Sequence, residues 1–334
     1  MTKSKMNCWK YKECGRQPGG NKAEKEGVCP AAAENTFHMF NNGLNGGRAC
    51  WLIAGTFCDH KISGTYAEKI DTCKSCGFYK MVQEEEHSFK LIVDNFSFYA
   101  TTHVGLVRKS NEDRFLIKKF KDETILFAVA DGMGGQAAGD YAAEIVRGKM
   151  ANLSCIPRGK ETDMLSSLAV ETDKFLIELG EKDEQLYGLG TTLLCVFIRD
   201  NSAFWVHVGD SRLTMYRGEK LLPITKDQNL ARYLVEEGEI SLEEVADHYS
   251  RNILDQALGN AMEGPETGVV SLEVGDFLLL TTDGFHNPVL PEIIEAELRK
   301  AEDLKKTADS LVDYALAKGG TDNITLVIAQ YTGP

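Results

Sequence analysis

The chain has 334 residues, 43% of them hydrophobic and 26% charged. That is enough for one large domain and a small one, or for two medium ones, and it is not the composition of a disordered chain. A formal charge of −13 excludes bulk nucleic-acid binding as a main activity. Residues 1–87 carry 12 Lys/Arg against 10 Asp/Glu and the remainder 25 against 40, so the acidic excess lies in the C-terminal part, where a divalent cation would need it. No run approaches the roughly 18 apolar residues of a membrane span. The opening "MTKSKMNCWKYKEC" has no apolar stretch of a secretory leader. A cytoplasmic location, with reduced thiols, is therefore expected.

The first element is cysteine-rich. Seven of nine cysteines fall within the first 76 residues: Cys8, Cys14, Cys29, Cys50, Cys58, Cys73 and Cys76. They form a repeat. "CWKYKEC" (Cys8–Cys14) and "CWLIAGTFC" (Cys50–Cys58) are each followed by 14 residues and a further cysteine, Cys29 or Cys73. Such matched spacing predicts two related loops converging on one or two centres. Cys73-x2-Cys76 adds a common metal-ligand spacing. A disulfide scaffold fits poorly with an odd cysteine count and a reducing compartment. Thiolate ligation of zinc or an iron–sulfur cluster fits better, with His38 and His60 as further candidates, because a short Gly-rich region has little core of its own. The two Cys-Trp pairs make this region similar to the small two-CW domain of bacterial proteins. "YKMVQEEEHSFK" then reads as an exposed helix end or linker, placing a boundary near residues 84–90 and domains at 1–87 and 88–334.

From about residue 92 the chain alternates short apolar runs suited to strands ("SFYATTHVG", "TILFAVA", "TTLLCVFI", "AFWVHVG", "DFLLLTT", "NITLVIA") with helical blocks. "AGDYAAEIVRGKMANL" puts Ala138, Ala142, Ile145 and Met150 on one face, and "DMLSSLAVETDKFLIELG" and "NLARYLVEEG" behave alike. "PEIIEAELRKA" opens with Pro291 at a helix start, and "KKTADSLVDYALAKGG" stops in glycine. Consecutive strands with paired helices predict an α+β layered fold of antiparallel sheets covered by helices.

"TILFAVADGMGGQAAGD" carries the functional question. Gly132-x-Gly134-x-x-Ala137, after a strand and before a helix, matches a dinucleotide-binding loop. Asp131 immediately before the first glycine is badly placed for a pyrophosphate, and no second strand with an acidic end follows. A metal site explains more. Apolar runs end at Asp131, Asp210 and Asp283; Asp322 begins the last run; "NED" stands at Asn111–Asp113. Carboxylates at strand ends can converge on one rim of a sheet, and an all-oxygen set suits Mg²⁺ or Mn²⁺.

The ordered motifs "GLVRKSNED", "DGMGG", "GTT", "HVGDSR", "TTDGF" and "GGTDNIT" resemble the bacterial branch of the PPM (PP2C-like) metal-dependent Ser/Thr protein phosphatases, over about residues 92–332. The resemblance implies a four-layer αββα sandwich, two antiparallel sheets flanked by helices. It implies two Mn²⁺ or Mg²⁺ ions, or three, and an in-line attack on phosphorus by a water bridging two of them. Carried over by motif, Asp131 bridges the metals and the Gly132 carbonyl assists. Asp283 and Asp322 hold the first metal, Glu112 and Asp113 the second, and Asp210 a third with Asp283. Arg108 matches the phosphate-binding arginine, and Asn323 is expected to orient Asp322. Thr191, Thr192 and Ser211 read as packing beside the site, and His207 as core. Residues 225–259 resemble a mobile flap, with Asp227-Gln228-Asn229 departing from the family's usual Asp-His-Ser. The implied substrates are phosphorylated proteins, opposite a Ser/Thr kinase, with the Cys-rich domain as a regulator. A catalytically idle binding module and a nucleotide-binding redox protein are the alternatives.

Overall fold

The computed structural model describes residues 5–38, 40–58, 61–134, 138–241, 244–245 and 248–333. His60 and Ala137 lie outside the described residues, as do four residues of the 225–259 segment. Contacts group the chain into two units, residues 1–87 with 148–153 and residues 88–147 with 154–334.

The first unit is made of short elements: α1 (Cys8–Tyr11), α2 (Ala23–Glu26), α3 (Pro30–Ala33), the antiparallel pair β1 (Phe57–Cys58) and β2 (Lys61–Ile62), α4 (Tyr66–Ser75) and α5 (Gly77–Glu85). Glu68 accepts from the Thr65 N–H at 2.7 Å and so holds the start of α4. The core is small, with Trp51, Ile70, Phe78 and Val82 buried. A fully buried guanidinium, that of Arg48, ties the segments together. It donates to the carbonyls of Asn41 (2.6 Å) and Met6 (3.2 Å) and to the Glu85 carboxylate (2.9 Å).

The second unit is a sandwich. Its strands are β3 (Ser88–Val93), β4 (Phe96–His103), β5 (Asp113–Lys119), β6 (Ile125–Met133), β7 (Gly190–Thr191), β8 (Leu193–Arg199), β9 (Ser202–Val208), β10 (Arg212–Arg217), β11 (Lys220–Pro223), β12 (Glu266–Ser271), β13 (Phe277–Thr281) and β14 (Ile324–Tyr331). Its helices are α6 (Ala138–Asn152, whose last residues group with the first unit), α7 (Glu161–Lys182), α8 (Leu230–Glu236), α9 (Asp283–His286), α10 (Pro291–Arg299) and α11 (Leu304–Ala317). One sheet runs β11-β10-β13-β14-β4-β3; the other runs β12-β9-β8-β6-β5, with β7 on β6. Every pairing is antiparallel.

Strand periodicity explains the layers. Phe98, Leu278, Leu280 and Val327 point inward to meet Phe127, Val129, Leu194 and Val196 of the facing sheet. Their neighbours Tyr99, Leu279, Leu326 and Ile328 point outward and pack against Ile294, Leu298, Leu311 and Ala315 of α10 and α11. A sheet buried on both faces needs apolar residues at both parities, which is why "DFLLLTT" and "NITLVIA" read as continuous apolar runs. The expected four-layer α+β architecture is the one observed.

Candidate metal-centred active site

Hydrogen-bonded register places the first two carboxylates. Asp113 opens β5 and is the partner of Asp131 near the end of β6. The Asp131 backbone is fixed by the "GTT" segment: its N–H donates to Thr192 Oγ1 (2.9 Å), and its carbonyl accepts from Thr191 Oγ1 (2.8 Å) and the Thr192 N–H (2.9 Å). Thr192 in turn meets the Ser211 hydroxyl at 2.8 Å. The reading of Thr191, Thr192 and Ser211 as packing beside the site matches these bonds. A Cβ at Gly132 would lie 2.2 Å from the Gly139 carbonyl oxygen, so only glycine permits this approach. At Gly284 the Cβ would meet the Asn323 carbonyl oxygen at 2.0 Å.

Asp283 is the first residue of α9, two residues after β13 ends, and Asp322 stands two residues before β14 begins. Asp131, Gly132, Asp210, Asp283, Asp322 and Glu112 all line one cavity of about 640 Å³, with Arg108 at its edge. Arg108 donates to Asp322 Oδ2 at 2.7 Å and is half-exposed. Asp113 is not among the lining residues and is 1% exposed. Its Oδ2 accepts from Thr282 Oγ1 at 2.7 Å, while its buried Oδ1 has no hydrogen-bond partner.

These carboxylates disfavour one another. Burial, with Asp283 and Asp322 nearby, pushes Asp113 up to about 7 against the hydrogen bonds of Thr325 and Thr282. Asp210 is pushed up to about 8 by burial and by Asp283 and Asp227, and Asp283 up to about 6 by burial and Asp322. Asp131 is raised well above the usual range by burial and then by Asp113, Asp283 and Asp210. Such a set requires protons or cations, and its all-oxygen donors and the orphaned Asp113 oxygen fit Mn²⁺ or Mg²⁺. Among the described residues no three His, Cys, Asp or Glu side chains are gathered closely enough to hold an ion as they stand. The carboxylates line the cavity rather than closing on one point.

Several supports were not legible as such. The Asn323 side chain does not hold Asp322: Asp322 Oδ1 accepts from the Asn323 backbone N–H (2.8 Å). The Asn323 amide instead accepts from the Glu112 N–H (2.8 Å) and donates to the Val104 and Ser110 carbonyls (both 2.9 Å), fixing the loop that presents Glu112. Buried Arg114 donates to the Asn111 (2.9 Å) and Asp113 (2.7 Å) carbonyls, to Glu144 Oε2 (2.7 Å) and to Asp140. The sequence signal for it was the Asp140/Glu144 pair, four apart on an otherwise apolar helix face. Asp227-Gln228-Asn229 serve the Asp210 turn and the next helix. Asp227 binds Arg212 through two 2.7 Å bonds, Gln228 Oε1 accepts from the Gly209 N–H (2.8 Å), and Asn229 caps α8. His207 is fully buried, as expected of a core residue. The strand before Gly132 runs antiparallel to both neighbours, so the dinucleotide-loop reading has no parallel βαβ unit to stand on.

Of the N-terminal candidates, Cys8, Cys14, Cys29, Cys50, Cys58 and Cys76 line a second cavity of about 380 Å³ inside the first unit. Cys73 is not on that lining; burial, with Cys50 nearby, pushes its thiol up to about 12. His38 is drawn elsewhere, its Nδ1 accepting from the Asn45 N–H at 3.1 Å.

Comparison with known proteins agrees with the architecture. The family model for protein phosphatase 2C matches residues 105–324. The chain is 36% identical over 236 residues to the serine/threonine protein phosphatase PstP of Mycobacterium tuberculosis, covering 70% of this chain and 44% of the relative. It is 34% identical over 238 residues to the protein phosphatase PhpP of Streptococcus pneumoniae, covering 69% of this chain and 95% of the relative. The match therefore spans under half of the mycobacterial protein and nearly all of the streptococcal one. The solved catalytic domain of PstP in complex with two manganese ions superposes with a TM-score of 0.65 at 33% identity, covering 72% of this chain and 99% of that one. The chain belongs to the protein phosphatase 2C family; the mycobacterial relative is a serine/threonine protein phosphatase and the streptococcal one a protein phosphatase.

Proposed function

We propose that residues 88–334 hydrolyse phosphoserine and phosphothreonine in proteins, with Mn²⁺ or Mg²⁺ at the carboxylate cavity. One observation carries the reading: Glu112, Asp131, Asp210, Asp283 and Asp322 surround a single cavity with a guanidinium at its rim. Asp131 and the Gly132 carbonyl, with Asp283 and Asp322, would hold one ion. Asp131, Glu112 and Asp113 would hold a second, and Asp210 with Asp283 a third. Bound there, the ions supply Lewis acidity toward the phosphoryl oxygens and toward water. Arg108 grips phosphate oxygens in the bidentate way that lysine does not, and Asp322 orients it. Asn323 and Arg114 hold the loop that carries Glu112 and Asp113. Tight backbone packing at Gly132 and Gly284 keeps the acidic rim in place.

In this reading the partners are phosphorylated proteins and a Ser/Thr kinase whose work is reversed, in the cytoplasm of a bacterium. Among the described residues no helix is long and apolar enough to cross a membrane. Residues 1–87 form a cysteine-rich module that regulates the enzyme. The test is phosphate release from a phosphothreonine peptide by the whole chain, with Mn²⁺ and with chelator, against Asp283→Ala. Release should need the metal and fall to background in the variant. Release no greater than that of the variant would leave an idle binding module as the better reading.

A further inference from the structure

The two Cys-Trp repeats meet at equivalent residues. Cys8 and Cys50, together with Cys76, line the same cavity of the first unit. Cys58 lines it as well, the Phe57 N–H donates to Cys29 Sγ at 3.5 Å, and the Cys76 N–H donates to the Cys73 carbonyl at 2.8 Å, closing the Cys-x2-Cys turn. Thiols from α1, from the segments around Cys14, Cys29 and Cys50, from β1 and from the α4–α5 junction thus line one cavity, though as they stand no three of them close on a single point. The regular elements that carry them are mostly two to four residues long, too short to be stable alone.

An independent observation concerns Lys69, on α4 and only 5% exposed. Its ammonium donates to the carbonyls of Cys50 (2.9 Å) and Ile53, to Thr56 Oγ1 (3.1 Å) and to Ser63 Oγ (3.4 Å). None of these partners is anionic. Among the described residues, the groups near it that can carry negative charge include the thiols of Cys50, Cys73, Cys58 and Cys29. A buried ammonium without a counter-ion is costly. Four thiolates around Zn²⁺, or around an oxidised four-iron cluster, carry a net double negative charge that offsets it.

We propose that the first unit holds a thiolate-ligated soft-metal centre, zinc or an iron–sulfur cluster, around Cys50, with the Lys69 ammonium as its built-in counter-charge. Thiolates select such metals over the Mn²⁺ or Mg²⁺ of the carboxylate site. The proposal uses only residues of the first unit and is independent of the phosphatase reading.

The test is elemental analysis and visible absorption of the whole chain, purified without oxygen. About one equivalent of zinc with no colour, or iron with sulfide and a visible charge-transfer band, is expected. Either should persist in Asp283→Ala and in Cys155→Ser, and should be lost in Cys50→Ser. Lys69→Gln should lower metal affinity in chelator competition by about tenfold. If Cys50→Ser does not fold, the wild-type chain still decides: chelator should release the metal together with newly reactive thiols. A chain carrying neither zinc nor iron, or one whose N-terminal thiols all react without metal release or are paired as disulfides, overturns the proposal.

Discussion

Asp113 and Asp131 are register partners across the β5–β6 ladder, two carboxylates on one rung of an antiparallel sheet. Side chains so placed have Cβ atoms about 4.5–5.5 Å apart, and like charges there destabilise the sheet. The fold thus holds a repulsion that a divalent cation relieves, and this sets the first expectation.

Stability of the metal-free chain should fall as pH rises. Folded Asp283, Asp113 and Asp210 are raised to about 6, 7 and 8, against about 3.9 in the unfolded chain. The folded state therefore binds more protons than the unfolded state between about pH 4 and pH 8, and unfolding free energy declines across that window. Thermal unfolding of chelator-treated protein from pH 5 to 8 should show a falling Tm. The Tm gain from added Mn²⁺ should widen over the same range. A flat metal-free profile would contradict the assigned burial of these groups.

Asn323→Ala removes the acceptor for the Glu112 N–H and the donors to the Val104 and Ser110 carbonyls. Outer contacts of this kind are worth about 10–100-fold in metal affinity or activity. The Mn²⁺ concentration for half-maximal phosphatase activity should rise within that range while circular dichroism stays unchanged. An unaltered Mn²⁺ titration would deny Asn323 its positioning role.

Arg114→Met removes the Arg114 guanidinium from buried Asp140 and Glu144, while Glu144 keeps its ion pair with Arg147. Breaking a buried ion pair from one side costs about 3–5 kcal/mol. Urea unfolding should show a loss of that size. The double variant with Asp140→Asn, which removes the carboxylate whose ion pair was with Arg114, should recover part of it.

Thr192→Val keeps the side-chain shape and removes the hydroxyl that accepts from the Asp131 N–H and meets Ser211. Leaving that N–H unsatisfied should cost about 1–3 kcal/mol. Denaturant titration at saturating Mn²⁺ measures it; a cost near zero would mean that water replaces the hydroxyl.

Strand alternation and aspartates at the ends of apolar runs made the sandwich and its acidic rim legible from the sequence, because both are local patterns. That logic singles out Asp210 and Asp283 as aspartates at the ends of apolar runs, while their metal roles come from the family resemblance. It does not single out Arg114, since its meaning depends on two carboxylates 26 and 30 residues away. Asn323 reaches a backbone N–H 211 residues distant, which no local rule encodes. In the N-terminal unit the cysteine spacing pointed to convergent loops, whereas Lys69 looked like any lysine of a polar helix. Its burial arises only when α4 packs on the Cys50–Ile53 turn.

The hairpin that joins β5 to β6 turns at Phe120–Thr124, at the end of the sheet away from the acidic rim, with Glu123 at a φ of 67°. It nevertheless fixes which residues stand opposite each other, and a slip of one position turns a strand's side chains to the other face. Gain or loss of one residue in that turn could therefore dismantle the metal centre while leaving every aspartate in the gene. For duplicated copies of such a chain, intact carboxylates alone are an insufficient mark of a working enzyme, and the length of a distant turn must be inspected with them.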